Sequence, residues 1–111
     1  MSRPVSSVDT FQAIADPTRR AILDRLRKGE QPVKQLAEPF EMSLPAISQH
    51  LQVLHEVGLV SQQRVGRQRL YRLNPEPLKE ISDWVADYEQ FWQTKLDALS
   101  QYLEDKPWAK P

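Results

Sequence analysis

From residue 8 onward the apolar positions recur every three or four residues. Val8, Phe11, Ile14 and Ala15 predict a first helix. Asp16-Pro17 interrupts it, with Asp16 suited to cap the next helix and Pro17 to its first position. That second helix is expected to run to about Arg27, with Ile22, Leu23 and Leu26 inward, and Lys28-Gly29 ends it. A short third helix is expected over about Val33 to Pro39, burying Val33, Leu36 and Ala37. Met42-Ser43 opens a fourth, with Ser43 as N-cap and Pro45 at the second helical position. Ile47, Leu51 and Leu54 form its inner stripe, and Gly58 stops it. There the period changes to two. Leu59 to Val65 and Gln68 to Leu73 read as strands around Gly66-Arg67, with Tyr71 and Leu73 alternating with Arg72. Asn74-Pro75 closes the pair, and from Glu76 to about Leu103 the helical pattern is unbroken. The order is four helices, two strands and a long helix, a mainly α chain with a small β-hairpin.

The fourth helix differs from an ordinary surface helix on its outer side. Leu44, Pro45, Ala46, Ser48, Gln49 and Gln52 face outward, and no Asp, Glu, Lys or Arg occurs between Ser43 and His55. Such a face fits a DNA major groove about 12 Å wide without bulk or repelling charge. Gln49 and Gln52 match the N6 and N7 edge of adenine, Ser48 suits a base or a phosphate, and Pro45 and Ala46 permit close approach to a thymine methyl. The competing reading is a surface helix that merely happens to be polar. Beside it, the hairpin tip RVGRQR carries Arg64, Arg67, Gln68 and Arg69, with Arg72 farther back. Tip cations can clamp phosphate or enter the minor groove; otherwise they decorate a solvated hairpin. His50 either satisfies a backbone group or contacts a phosphate. Arg19 and Arg20 either reach the DNA backbone or pair with an acidic side chain of the protein.

Charge sharpens this division. The chain is neutral overall, yet residues 1–75 hold eleven Lys and Arg against seven Asp and Glu, and residues 76–111 hold four against eight. The basic part contains the candidate DNA-contacting elements and the acidic part is the long helix, an oriented footprint. At 111 residues one domain is expected, over residues 8–103, with a flexible N-terminus at 1–7 and a flexible tail at 104–111. No cysteine is present, so disulfides and thiolate ligands are excluded. No apolar run approaches the roughly 20 residues that span a bilayer. The opening MSRPVSSVD lacks a signal-peptide core, which makes a cytoplasmic protein the expectation. An enzyme is not expected, because no glycine-rich phosphate loop and no convergent nucleophile and base occur. A protein-interaction module would place acidic or bulky residues on the outer face of the fourth helix, and they are absent.

On the long helix Ile81, Trp84, Val85, Tyr88, Phe91, Trp92, Leu96, Leu99, Tyr102 and Leu103 form a wide apolar band. A band that broad marks an interface. Antiparallel pairing with a second copy would cover it, with Phe11 of the first helix joining Ile81, Trp84, Tyr88, Phe91, Trp92 and Leu99. Trp84, Tyr88, Phe91 and Trp92 equally suit an apolar pocket for an organic effector of unknown identity, and both uses are compatible.

Three stretches in order, FQAIADPTRRAILDRL at 11–26, VKQLAEPFEMSLPAISQHLQVLHEVGLV at 33–60 and RVGRQRLYRLNP at 64–75, closely resemble the ArsR-type winged helix-turn-helix transcriptional regulators. The resemblance spans about residues 8–103, and Phe91-Trp92 is similar to a pair marking a branch without recognised metal ligands. It implies a homodimer joined through its first and last helices that represses transcription from palindromic operators in double-stranded DNA. It also matches Leu44, Pro45, Ser48 and Gln49 to base-reading positions and Arg67 with its neighbours to the wing. Metal-sensing members carry cysteines at the start of the third helix, where this chain has Pro32 and Lys34, or Asp and His ligands on the last helix. Here that helix has Asp83, Asp87 and Glu89 but no histidine, so neither metal nor cofactor is expected.

Overall fold

The computed structural model describes residues 9–105. The flexible segment expected over residues 1–7, Val8 of the expected first helix and positions 106–111 of the expected tail lie outside the described residues.

Local chemistry sets each helix end. Asp9 opens α1 (Thr10–Ala15) with a capping box. Its carboxylate accepts from the Gln12 N–H at 2.7 Å, and its own N–H donates to Gln12 Oε1 at 3.0 Å. The face that α1 buries differs from expectation. Thr10 and Ala13 are buried and Ile14 packs partly against the core, while Phe11 is half-buried and Ala15 exposed. With the cap at Asp9, two small side chains meet the core and let this short helix lie close to it. Asp16 then caps α2 (Pro17–Leu26), accepting from the Arg19 N–H at 3.0 Å, with Pro17 at the first helical position.

A third strand corrects the expectation of a lone hairpin. β1 (Gln31–Pro32) precedes α3 (Val33–Ala37), α4 (Leu44–Glu56), β2 (Val60–Val65), β3 (Gln68–Leu73) and α5 (Leu78–Glu104). The antiparallel sheet has the order β1-β3-β2, with Gln31 opposite Tyr71 and Pro32 opposite Leu70. Two residues carry no periodicity, so the strand has no signature in the pattern. Side chains hold it: Gln31 Nε2 donates to the Arg25 carbonyl at 3.0 Å, and Arg25 Nη2 donates to Gln31 Oε1 at 3.4 Å. Pro32, lacking an N–H, is tolerated because β1 is an edge strand.

The inner stripes of α2, α3 and α4 converge as the spacing predicts. Ile22, Leu36, Ile47, Leu51, Leu54 and Leu59 are fully buried, and Leu23, Leu26, Ala37, Val60 and Tyr71 complete the core around them. Each such large side chain contributes about 1.5–3 kcal/mol of transfer free energy. Val33 is only partly buried, at the margin of this cluster. Ser43 caps α4 as expected, its Oγ accepting from the Ala46 N–H at 3.2 Å.

The chain divides into two compact units, the first ending at Lys79 and the second starting at Glu80, within α5. Taken by itself, α5 is a 27-residue helix, and in the single chain none of its residues is buried.

α4 and the sheet are joined at Gly58. Its φ of 82° is left-handed. The Gly58 N–H donates to the His55 carbonyl at 3.0 Å and the Leu59 N–H to the Leu54 carbonyl at 2.9 Å, the two bonds of a Schellman ending. Asn74 reinforces the corner, its Nδ2 donating to the Gly58 carbonyl at 2.8 Å. A Cβ on Gly58 would meet the Pro77 ring at an ordinary 3.6 Å, so backbone strain rather than crowding limits substitution. Gly58→Ala is expected to lower stability by about 1–2 kcal/mol in urea unfolding. An unchanged midpoint would show that this corner relaxes without cost.

Candidate nucleic-acid interface

α4 and the hairpin enclose a groove of about 560 Å³. Ser48, Gln52 and His55 line it from α4, and Gln62, Arg64, Arg67, Gln68, Arg69 and Tyr71 line it from the hairpin. Pro32, Val33 and Lys34 close the third side. Among the described residues no Asp or Glu lines it, so Lys34, Arg64, Arg67 and Arg69 face it without a carboxylate among its walls.

Strand register explains why these arginines gather. Val60 pairs with Leu73, Gln62 with Tyr71 and Arg64 with Arg69. Side chains two residues apart share a face, so the face that buries Val60 and Tyr71 becomes polar toward the tip and ends in Arg64 and Arg69. Gly66, at φ 63° and first of a two-residue loop, supplies the left-handed residue such a tight turn needs. Arg64 and Arg69 are directly opposite each other, an arrangement of like charges that weakens a hairpin unless an anion lies between them. Among the described residues only long contacts within the hairpin engage them: Arg64 Nε to the Gly66 carbonyl at 3.5 Å and Arg69 Nη1 to Gln62 Oε1 at 3.5 Å. Arg72 lies on the opposite face and pairs with Glu30 at 3.5 Å. Cations on the groove walls beside an uncharged helix face suit a polyanion.

The sequence-predicted positions divide. Ser48, Gln52, Arg64, Arg67, Gln68 and Arg69 come together around the groove. Leu44, Pro45 and Gln49 are exposed on α4 but do not line it, and Ala46 is half-buried. Lys34 and His55 join the groove without having been singled out for it. Lys34 could have been found from its place at the start of α3, beside the expected hairpin.

Three other side chains take roles different from those expected. Arg19 donates through Nε to the Ala13 carbonyl at 2.6 Å and through Nη2 to the Gln12 carbonyl at 3.1 Å. Arg20 Nη1 donates to the carbonyls of Ile14 and Ala15 at 2.8 and 3.0 Å. Both thus close the carbonyl end of α1 instead of pairing with a carboxylate. His50 meets no backbone group through Nδ1: that atom is 3.3 Å from Arg19 Nη1 and 3.9 Å from Asp16 Oδ2. The Asp16 carboxyl lies below the usual carboxylate range, chiefly because it accepts the Arg19 N–H; the charge of Arg19 and the Thr18 N–H act in the same direction against a desolvation cost.

On α5 the predicted interface side chains form a continuous exposed strip. Phe91 and Trp92 are each 63% exposed, and Trp84, Tyr88 and Leu99 are also exposed, while Ile81 is half-buried. Trp84 and Tyr88 stack at 5.1 Å between ring centroids, tilted by 58°. Trp84, Val85, Tyr88 and Trp92 border a hollow of about 370 Å³. Pro32 and Lys34 offer no thiolate or imidazole donor, and α5 offers scattered carboxylates without imidazole. Among the described residues no three His, Asp or Glu gather as a metal site requires, and no helix is long and apolar enough to cross a membrane.

A short helix, a turn, a second helix with an uncharged outer face and a basic hairpin beside it define a winged helix-turn-helix protein. Residues 16–62 match the family model for bacterial regulatory proteins of the arsR family. The chain is 38% identical to the HTH-type transcriptional regulator Rv2034 of Mycobacterium tuberculosis over 86% of its own length and 87% of that protein. It is 39% identical to the transcriptional repressor SdpR of Bacillus subtilis, over 72% of this chain and 89% of that one. Its fold is similar to the homodimeric winged helix-turn-helix DNA-binding domain Mb0332 of Mycobacterium bovis, with a TM-score of 0.58, 33% identity and coverage of 70% of this chain and 75% of that one. The chain belongs to the ArsR family. It is a DNA-binding transcriptional regulator and not an enzyme.

The facing arginines give a stability test that needs no DNA. Arg69→Gln should leave thermal stability unchanged or raise it by up to about 0.5 kcal/mol at low salt, with the gain fading as salt screens the pair. A clear loss of stability at low salt would mean that Arg69 supports the hairpin through contacts other than charge.

Proposed function

We propose that this regulator is a dimeric repressor that occupies a palindromic operator and so denies it to RNA polymerase in the cytoplasm. The carrying observation is the groove in which Lys34, Arg64, Arg67 and Arg69 stand without a lining carboxylate beside the uncharged outer face of α4. In this reading Leu44, Pro45, Ala46, Ser48, Gln49 and Gln52 meet base edges. Arg64, Arg67, Gln68 and Arg69 hold the phosphate backbone or the adjacent minor groove, and Lys34 adds a phosphate contact. The name of SdpR as a repressor supports the direction of control.

Dimerisation rests on the exposed strip of α5 and on the homodimeric state of the Mycobacterium bovis relative. Phe11, Ile81, Trp84, Tyr88, Phe91, Trp92 and Leu99 form the seam. Twofold symmetry then sets two α4 helices about one DNA turn apart, roughly 34 Å, and a palindromic site matches it. The hollow beside Trp84, Val85, Tyr88 and Trp92 supports an apolar effector at the same seam, acting through different affinities for two dimer states.

Base readers and phosphate contacts separate in titrations against a duplex selected from random oligonucleotides and against a shuffled one. Gln49→Ala should cost roughly 1–3 kcal/mol on the selected duplex and little on the shuffled one. Arg67→Ala should weaken both and reduce the slope of log affinity against log salt by about one. Equal losses for Gln49→Ala on both duplexes, or an unchanged slope for Arg67→Ala, would remove those residues from the interface. For the seam, Trp92→Asp should sediment as a monomer where the parent chain sediments as a dimer. A variant that remains dimeric would move the seam away from α5.

A further inference from the structure

α1 ends after six residues, and its last carbonyls need donors from outside the helix. Arg19 supplies two, to Ala13 and Gln12, and turns its remaining nitrogen, Nη1, to His50 on α4. One guanidinium from the first turn of α2 therefore joins the end of α1 to the helix whose outer face carries Ser48, Gln49 and Gln52. We propose that Arg19 is a positioning residue for DNA binding, refining through the imidazole Nδ1 of His50 the placement of α4 against the end of α1 that the buried stripe of α4 sets in outline. The inference rests on the reading of α4 as the helix that contacts base edges.

The chemistry of the contact sets its direction. A guanidinium carries only donors, so an imidazole nitrogen bonded to it must accept. Nδ1 of His50 lies 3.3 Å from Arg19 Nη1, and the Asp16 carboxylate stands farther off at 3.9 Å. Without an acceptor at position 50, α4 loses its connection to α1 through Arg19. The His50 side chain is only 20% exposed, which limits the water available to replace the lost partner. Because Gln49 immediately precedes His50, a change in the azimuth of the imidazole's helix is felt at a base-reading position.

The test compares the full-length chain with His50→Leu and His50→Gln by fluorescence anisotropy. The probes are a duplex that the parent chain selects from a random pool and a shuffled duplex of equal length. Glutamine keeps an oxygen that accepts from Arg19, and leucine keeps bulk without an acceptor. His50→Leu should reduce the ratio of selected to shuffled affinity about tenfold, the low end of what one misplaced base contact costs. Its binding to the shuffled duplex should stay within about twofold, since the groove cations are untouched. His50→Gln should keep the parent ratio. A parent-like ratio in His50→Leu, or a ratio in His50→Gln that falls as far as that of His50→Leu, overturns the proposal; should the leucine variant fail to fold, His50→Met, of similar bulk and with no nitrogen or oxygen acceptor, takes its place. A parent chain that selects no duplex sinks the underlying reading of α4, whereas a selective parent with insensitive variants sinks the positioning role alone.

Discussion

The burial of Ile47, Leu51 and Leu54 on one side of α4 is the constraint on which the rest depends. Residues advance about 100° around a helix, so fixing three inward positions fixes every outward one. Leu44, Pro45, Ser48, Gln49 and Gln52 are exposed because their neighbours are not. The core into which that stripe packs is supplied by α2, α3 and the start of β2, with Ile22, Leu36 and Leu59 fully buried around it. The helix face is thus a by-product of core packing, and its chemistry is free to vary without disturbing the fold. In the proposed reading of α4, sequence-specific recognition is built on that separation.

The hairpin follows the opposite logic. Its buried residues lie at the base and its tip gives up packing altogether, placing Arg64 opposite Arg69 with only weak internal contacts. A free-standing hairpin would gain from replacing either. Retaining both makes sense where an external anion contributes the missing charge. The Gly58 ending and the Asn74 bond hold the angle between this tip and α4. The helix and the wing can therefore act as one surface, although they are stabilised in different ways.

The helices were legible because several apolar residues repeat in each, and their ends because Asp16, Ser43 and Gly58 have specific capping chemistry. The hairpin was legible from alternation and from Gly66. β1 was not, since two residues have no period and Gln31 is held by Arg25 through side-chain bonds with no local sign. The face of α1 that meets the core was not legible, because the apolar spacing of Phe11, Ile14 and Ala15 carries no sign that Thr10 and Ala13 make the close approach. Around the groove, Arg64, Arg67 and Arg69 and the polar positions Ser48 and Gln52 could be read directly. The cluster of Asp16, Arg19 and His50 could not, because it joins residues 31 positions apart and depends on how three helices meet.

β1 also bears on solubility. The sheet has a margin two residues long that finishes in Pro32, a residue with no amide proton to offer. A foreign polypeptide approaching that border finds almost nothing to zip onto. The protruding arginine-tipped ribbon can thus reach into solvent without that border seeding fibrous self-association, a safeguard written in one imino acid.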